Sequence, residues 1–287
     1  MRYLSPLHRT RAAHRTWHRV VNGLNVCLML LALLVLVALF APWLAPADPY
    51  VQNVMHRLHP PGASCWLGTD GFGRDVLSRV IYGTRPALMM VTLILVITIP
   101  VGLVVGIGAG YLGGWVDRVL MRLTDIALAL PGLVIALALV AVMGSGIWHC
   151  ALALALTAWP QFARQARAEV MALRRSDFLA AARMQGIDGW RLMYGHVLPL
   201  CLPGALTRAA MMPGNMILAA AGLGFLGVGA PPPMAEWGAM VADGSSVMFE
   251  QWWVATVPGV AIFFTSLLFN LLGNALRDRL DPRYDKG

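Results

Sequence analysis

Lysine is almost absent from this 287-residue sequence, and charged residues of any kind are scarce. Lys286, in the C-terminal tail, is the single lysine, and Asp, Glu, Lys and Arg together form 13% of the chain. A phosphate-binding P-loop requires a lysine that reaches the terminal phosphates of ATP. The chain therefore has no Walker motif with which to hydrolyse ATP. We expect a protein that is not an enzyme and that holds no cofactor.

Cysteine and histidine are too sparse and scattered to predict a metal centre. Four cysteines stand at unrelated spacings without a CxxC pair, which supports neither a disulfide framework nor a zinc knuckle: Cys27, Cys65, Cys150 and Cys201. His56 and His59 would share a helical face, and His149 adjoins Cys150. Neither pair has a third ligand or an orienting carboxylate nearby in sequence, so we predict no metal site.

Long apolar runs dominate the chain instead. Hydrophobic residues form 58% of it and the mean hydropathy is +0.66, which excludes a water-soluble fold of this length. Six runs approach the roughly 20 residues that a helix needs to cross hydrocarbon: 24–45, 86–110, 123–143, 147–162, 200–226 and 254–276. We predict an all-α integral membrane protein with six transmembrane helices. The first run is too long for a secretory signal core, and Pro160 predicts an end or a kink in the short fourth run.

The distribution of arginine predicts the orientation in the membrane. Basic residues crowd the N-terminal arm, the flank of the third run, the island 164–199 and the C-terminal tail, whereas the loop 228–251 has none. By the positive-inside rule both termini and the island lie in the cytoplasm. Four arginines of the first outside loop oppose this bias but are outnumbered: Arg57, Arg74, Arg79 and Arg85. Because the charges are divided among several membrane flanks, they do not form the single basic face of a nucleic-acid-binding protein.

These signals divide the chain into five segments. We predict a basic cytoplasmic arm (1–23), a first span (24–45), a periplasmic loop (46–85), a five-helix core (86–276) and a cytoplasmic tail (277–287). Apolar positions in 76–87 recur at helical spacing, which predicts an amphipathic approach helix that leads into the second span.

The cytoplasmic island 164–199 is predicted to form a hairpin of two short helices. Ser176 is a hydroxyl N-cap followed by Asp177 in the first turn, and Gly186 is able to take the left-handed conformation at the helix end. The second helix is predicted to start at Asp188 and to end at Pro199, where the chain turns back towards lipid. Local chemistry leaves two interpretations open: another protein docks on the hairpin, or the hairpin lies on the lipid headgroups.

The outside loop carries a compact motif of glycines and alternating charges. Its residues are Gly68, Thr69, Asp70, Gly73, Arg74 and Asp75. The glycines permit a tight turn in which the charged side chains pair with one another or with backbone amides. We favour a self-satisfied turn that anchors the approach helix, and direct contact with a transported solute is the alternative.

Few ionisable residues fall within the apolar runs. Asp125 and Arg208 are both predicted towards the cytoplasmic side, which favours a snorkelling or paired role over a proton relay. The six spans show no internal duplication, so an ion-gradient-driven secondary transporter is the less favoured alternative. Gly224 and Gly227, at the end of the fifth run, are candidates for a gate or for close static packing.

Five motifs together resemble a known family. They are 67–70 with 73–75, 181–186 with 198–199, 223–227, 236–238, and 276–278 with 280–282. In this order, over nearly the whole chain, they resemble the C-type permease subunit of dipeptide, oligopeptide and nickel ABC importers, within the binding-protein-dependent transport inner-membrane components. The resemblance implies a type I importer core like that of the methionine importer, in the bacterial inner membrane.

The same resemblance implies partners and a coupling site. The partners are a second permease subunit, two cytosolic ATPases, a periplasmic binding protein and membrane lipid. The implied ATPase-coupling residues are Asp177, Ala180, Ala181, Ala182, Arg183, Gly186, Leu198 and Pro199. Members of the family usually have a glutamate before two alanines in this island, and this chain has Ala180 there. The cargo is left open among a peptide, nickel and a metal chelate.

Overall fold

The computed structural model describes the backbone of residues 6–280 and the side chains of residues 23–279. Parts of the predicted arm and tail, residues 1–5 and 281–287, lie outside the described residues. Within 6–280 no strand forms, and the all-α class is confirmed. The α-helices of this stretch are α1 (Pro6–Leu39), α2 (Ala41–Leu44), α3 (Val76–Leu112), α4 (Gly114–Ala129), α5 (Gly132–Met143), α6 (Ile147–Leu173), α7 (Asp177–Met184), α8 (Gly189–Leu192), α9 (Leu198–Met211), α10 (Pro213–Phe225), α11 (Trp237–Ser245) and α12 (Trp252–Leu280).

The six apolar runs all lie in helices, but several helices differ from the predicted spans. By length and composition, two helices of the described stretch are apolar enough to cross a membrane unaided, Val76–Leu112 and Trp252–Arg279. The third predicted span is two helices, α4 and α5, that meet at an angle of 89°. Pro131 lies at the bend, where its missing amide and the extended conformation of Leu130 end α4.

The approach helix and the second span form a single helix, α3. Its 37 residues begin after Asp75, whose side chain accepts a hydrogen bond from the Ser78 amide, and end at Gly113, which has φ +67°. The helix is continuous through residue 86, and Pro86 lies inside it. The outside motif is therefore joined directly to a helix that continues to the opposite end of the molecule.

The prediction that Pro160 ends or kinks the fourth span is wrong about the end, because α6 continues past it to Leu173. The first ten residues of the predicted island thus belong to this helix. Beyond the proline, Phe162, Ala163, Ala166 and Val170 are buried. Their burial against α3 stabilises the continued helix despite the hydrogen bond that Pro160 cannot donate.

A stripe of small residues explains why α3 and α6 pack more extensively than any other helix pair in residues 6–280. Gly102, Gly106 and Gly110 recur at every fourth position and face α6. A Cβ on Gly106 would lie 2.7 Å from the Ala166 Cβ, and one on Gly110 would lie 2.8 Å from the Val170 Cβ. Such spacing of small residues lets two helix backbones approach closely.

The hairpin rejoins the membrane core without the predicted stop at Pro199. The chain passes from α8 through a π-helical turn, Met193–Val197, directly into α9, and Pro199 occupies the first turn of α9. Proline is tolerated there because first-turn amides have no intrahelical acceptor. The fifth predicted span is interrupted instead at Met212, immediately before Pro213.

The glycine stripe gives a test of packing within one helix. Gly106→Ala should lower the free energy of unfolding by about 1–3 kcal/mol, because the added methyl collides with α6. Gly108→Ala is the matched control: its Cβ would meet nothing within 4 Å, so the higher helix propensity of alanine should leave stability unchanged or raised. Thermal unfolding in detergent measures both, and equal midpoints for the two variants would contradict the packing role.

Candidate functional site

The outside motif folds into a closed turn whose strained positions are glycines. Gly68 and Gly73 have φ of +74° and +72°. A Cβ on Gly68 would lie 2.6 Å from the Trp253 Nε1, so the site also lacks space for a side chain. The buried Thr69 hydroxyl accepts a hydrogen bond from the His59 amide (2.8 Å), and the Trp253 indole donates to the Thr69 carbonyl (3.2 Å). The turn is thereby attached to the start of α12.

Asp70 is the centre of a buried charge network. Its Oδ1 accepts from the amides of Phe72 (2.8 Å) and Arg74 (3.0 Å), and its Oδ2 accepts from the Arg74 Nε at 2.7 Å. The Arg79 Nε lies 3.5 Å from the same Oδ2, and the Arg74 Nη2 lies 3.7 Å from Asp243 on α11. Asp70, Arg74 and Arg79 are all 5% exposed or less. The network holds the motif, α3 and α11 together.

Arg79 extends the network to two further loops. Its Nη1 donates to the carbonyls of Pro49 (3.1 Å) and Pro233 (3.4 Å). The buried Arg79 guanidinium depends on the Asp70 carboxylate for compensation of its charge. This geometry is that of the self-satisfied turn favoured above.

Removing the charge of Asp70 should destabilise the protein. Asp70→Asn leaves two buried guanidiniums without their carboxylate, and we expect a loss of about 3–5 kcal/mol. Asp48→Asn is the control, because Asp48 is an exposed residue of the same loop that accepts one amide hydrogen bond. Thermal unfolding of the purified variants compares them. A wild-type midpoint for Asp70→Asn would show that the network is energetically neutral.

Glu236 is a second buried acid, and the sequence offers it only as a member of the motif 236–238, without a role of its own. It is 4% exposed, and its Oε2 accepts from the Ala230 amide at 2.6 Å. Its Oε1 has no hydrogen-bond partner, and its carboxylate lies where a Cβ on Gly224 or Gly229 would be. Gly224 therefore has a packing role in this structure, and Gly227, with φ +80°, ends α10. Burial raises the pKa of Glu236 to about 7.

The raised pKa predicts a pH dependence of stability. Between pH 4.5, the ordinary value, and about 7, the folded state binds more protons than the unfolded state, so stability falls as pH rises through this window. Glu236→Gln should remove this fall and stabilise the protein above pH 7 by roughly 1–3 kcal/mol. Unfolding midpoints from pH 5 to 8 measure it, with exposed Glu250→Gln as control. An unchanged slope in Glu236→Gln would refute the assignment.

The cytoplasmic hairpin has the predicted caps. The Ser176 hydroxyl accepts from the Leu179 amide (3.4 Å), and Gly186 has φ +79°. The Ile187 amide donates to the Ala182 carbonyl (3.2 Å), which completes a Schellman motif at the end of α7. Gly186 has open space around it, so its backbone conformation, not crowding, requires glycine.

One face of the hairpin is packed and the other is open. Leu179, Ala182, Leu192 and Val197 are buried in one cluster with residues of the C-terminal halves of α3 and α6. The opposite face exposes charged, small and large apolar residues: Asp177, Phe178, Ala180, Ala181, Arg183, Met184 and Trp190. Met184 is 90% exposed. Of the implied coupling alanines, Ala182 therefore supports the hairpin from beneath, whereas Ala180 and Ala181 lie on its surface.

Two ion pairs fasten α4 to α6. Asp125 pairs with Arg164 (2.7 Å), and Asp117 accepts two hydrogen bonds from Arg167 (2.5 and 2.7 Å). Asp125 and Arg164 are each about half exposed. Asp125 thus has a basic partner, Arg164, on the neighbouring helix α6.

Arg208, by contrast, lies half-buried in the wall of a cavity between four helices. The cavity, of about 320 Å³, lies between α5, α6, α9 and α10, and Gln161 and Asn215 also line it. The Arg208 guanidinium donates to the Gln161 side-chain oxygen. Asp125 does not line this cavity, so the structure does not join the two intramembrane charges in one site.

These features define a class: an all-helical membrane protein with a buried charged turn before α3, a capped helical hairpin that follows α6, and a cavity between α5, α6, α9 and α10. A family model described as the binding-protein-dependent transport system inner membrane component matches residues 102–286. A second, the N-terminal TM domain of oligopeptide transport permease C, matches residues 25–61. The chain belongs to this family of transport permeases and is an integral protein of the inner membrane.

Curated relatives agree over most of their length. The probable D,D-dipeptide transport system permease protein DdpC of Escherichia coli is 40% identical over 255 residues, 89% of this chain and 86% of the relative. The di/tripeptide transport system permease protein DppC of Pseudomonas aeruginosa is 41% identical over 262 residues, with 89% and 86% covered. The nickel transport system permease protein NikC of Escherichia coli is 38% identical over 260 residues, with 91% and 94% covered.

A solved structure shares the fold. An inward-facing form of the MetNI methionine ABC transporter matches with a TM-score of 0.54 and 17% identity, covering 71% of this chain and 96% of that one. The predicted fold class, a type I importer core like that of the methionine importer, is confirmed. The chain is a permease subunit of an ABC importer.

Proposed function

We propose that the chain forms one half of a transmembrane pathway, beside a second permease subunit, and that two separate cytosolic ATPases drive it. A periplasmic binding protein delivers the cargo, and both termini lie in the cytoplasm. Membership of the permease family supports a role within a transporter complex. The absence of a P-loop lysine from the sequence supports the assignment of ATP hydrolysis to other subunits.

The observation that carries the proposal is the two-faced hairpin. Its inner face is buried on α3 and α6, so the hairpin moves with these helices as a unit. Its outer face leaves Phe178, Met184 and Trp190 in solvent beside alanines that allow close approach. Exposed apolar residues within a charged rim are typical of a protein docking surface. An ATPase groove that holds this face would transmit its closure to the membrane core.

The coupling residues divide into three roles. Ala180, Ala181, Asp177 and Arg183 form the docking surface, and Ala182 holds α7 against the core. Gly186 sets the turn between the two helices through its left-handed backbone. Leu198 and Pro199, at the start of α9, pass the movement on to the helix that carries Arg208. The missing glutamate at Ala180 removes one charge from this surface.

On the outside, the closed turn 68–75 and α11 form the surface offered to the binding protein. The self-satisfied network makes this surface a rigid platform, and Gly68, Thr69, Asp70, Gly73, Arg74 and Asp75 have structural roles within it. Names of the relatives point to a peptide or nickel as cargo, and the resemblance adds a metal chelate. A secondary transporter would use an intramembrane carboxylate as a proton carrier, and the pairing of Asp125 with Arg164 supports a structural role instead.

The proposed docking of the ATPase on the hairpin is tested by adding one negative charge to the hairpin surface. Ala181→Glu should reduce the amount of ATPase subunit that co-purifies with the permease at least severalfold, because it places an unpaired carboxylate in the buried contact. Ala63→Glu makes the same change at an exposed alanine of the outside loop and should retain the ATPases fully. Quantified co-purification from membranes measures both. Equal retention would mean that the docking surface lies elsewhere.

A further inference from the structure

Arg208 lies on α9, ten residues after Leu198, the first residue of that helix, which corresponds to a rise of about 15 Å along it. The sequence predicts this arginine towards the cytoplasmic side of the apolar run 200–226. Its side chain is half-buried in the described chain. A charge within an apolar run is costly unless it has a partner or faces water.

The partners of Arg208 leave its charge uncompensated. Its hydrogen bond goes to Gln161, which is neutral. None of the five ion pairs between described residues includes Arg208, and the cavity beside it is lined by no acid of residues 23–279. The network around Asp70 shows the contrary arrangement, in which buried arginines surround a carboxylate. Among the described residues, therefore, no carboxylate pairs with the Arg208 guanidinium.

The cavity has the composition of a binding site. Three neutral polar side chains, Thr157, Gln161 and Asn215, accompany Arg208. Gln161 and Asn215 are exposed in the single chain. A polar patch of this kind would be unfavourable against lipid tails, so it faces an enclosed aqueous path. The remaining wall is apolar and includes Met211, Met212 and Met216, whose flexible side chains adapt to different shapes.

We propose that this cavity is a transit site for a carboxylate-bearing solute, whose carboxylate binds the Arg208 guanidinium. The proposal rests on the permease function above and adds the chemical class of the cargo. Arginine presents a fork of N–H donors that matches a carboxylate. Gln161 and Asn215 supply amide groups for the adjoining polar atoms of the cargo. A volume of about 320 Å³ is at the small end of ligand pockets, which suits a compact solute.

The same chemistry disfavours a free divalent cation. The cavity wall contains one positive charge and neither a carboxylate nor a histidine among the described residues. A bare metal ion would be repelled by Arg208 and would find none of the ligands that such ions prefer. A metal could pass only inside a chelate whose own carboxylates face the arginine.

The test uses the complete importer in liposomes with its binding protein, second permease and ATPases. The cargoes are a labelled dipeptide, the same dipeptide with an amidated C-terminus, nickel citrate and uncomplexed nickel. Arg208→Gln should lower kcat/KM for carboxylate-bearing cargo about tenfold or more, the cost of losing a charged hydrogen-bond pair, with little effect on the amidated dipeptide. For each cargo, kcat/KM of the variant is divided by that of the wild type, so the selectivity of the binding protein between cargoes cancels.

Two further variants separate binding from folding. Arg208→Lys keeps the charge and should retain part of the preference for carboxylate. Arg118→Gln, at an exposed arginine of α4, should change transport of no cargo. Equilibrium binding of the two dipeptides to the detergent complex without the binding protein gives a second reading. In this assay the wild-type complex should bind the dipeptide with a free C-terminal carboxylate more tightly than the amidated dipeptide. The Arg208→Gln complex should bind the two equally.

The outcomes are distinct. A selective loss with the dipeptide or with nickel citrate supports the proposal and identifies the source of the carboxylate. An equal loss for all cargoes, no loss, or wild-type transport of uncomplexed nickel alone would overturn it. If the wild-type complex accumulates no cargo on addition of ATP, the permease function itself fails and the cargo class fails with it.

Discussion

The close contact between α3 and α6 is the constraint on which the rest of the architecture depends. Glycines at 102, 106 and 110 leave three positions of α3 that face α6 without a side chain, so the two backbones lie against each other over about two turns. The outer end of α3 is capped by Asp75 within the buried turn, and the cytoplasmic ends of both helices support the hairpin. One packed pair thus joins the outer platform to the coupling element.

Arginines that pair with a carboxylate of the chain differ in role from Arg208, which does not. At the start of α3, Arg74 and Arg79 share the carboxylate of Asp70, and between α4 and α6, Arg164 and Arg167 pair with Asp125 and Asp117. These pairs join helices and loops, and each charge is compensated within the chain. Arg208 has only an amide partner. Arg208 is half-buried, and the absence of a carboxylate partner among the described residues is consistent with a residue that binds an external anion.

The sequence predicted features whose causes are local. The Ser176 cap, the left-handed Gly186 and the charged turn at 68–75 all depend on residues within a few positions of one another, and each is present in the structure. Predictions from proline alone were less reliable. Pro160 and Pro199 do not end helices, because tertiary packing and a first-turn position remove their cost, whereas Pro131 marks a bend of 89° that hydropathy concealed.

Other features depend on contacts that a single sequence does not display. Glu236 is buried because its carboxylate packs against Gly224 and Gly229. The sequence around Glu236 contains no pattern from which this burial could be predicted. The spacing of Gly102, Gly106 and Gly110 was visible in the sequence. It is the small-residue signal of a close helix pair, and it could have identified the α3 face that contacts α6.

Places where the backbone can bend lie around the cavity, away from the rigid pair. The wall of the cavity includes Gly132, just after the bend at Pro131, and Met212, where α9 is interrupted before Pro213. Because α9 continues directly from the hairpin, and Arg208 lies on α9 before the interruption at Met212, a displacement of the hairpin would also move Arg208. In the proposed transport cycle, docking at the cytoplasmic surface would therefore move the arginine relative to Asn215 on α10. Such a movement would change the affinity for a bound carboxylate while the α3 and α6 pair retains its shape.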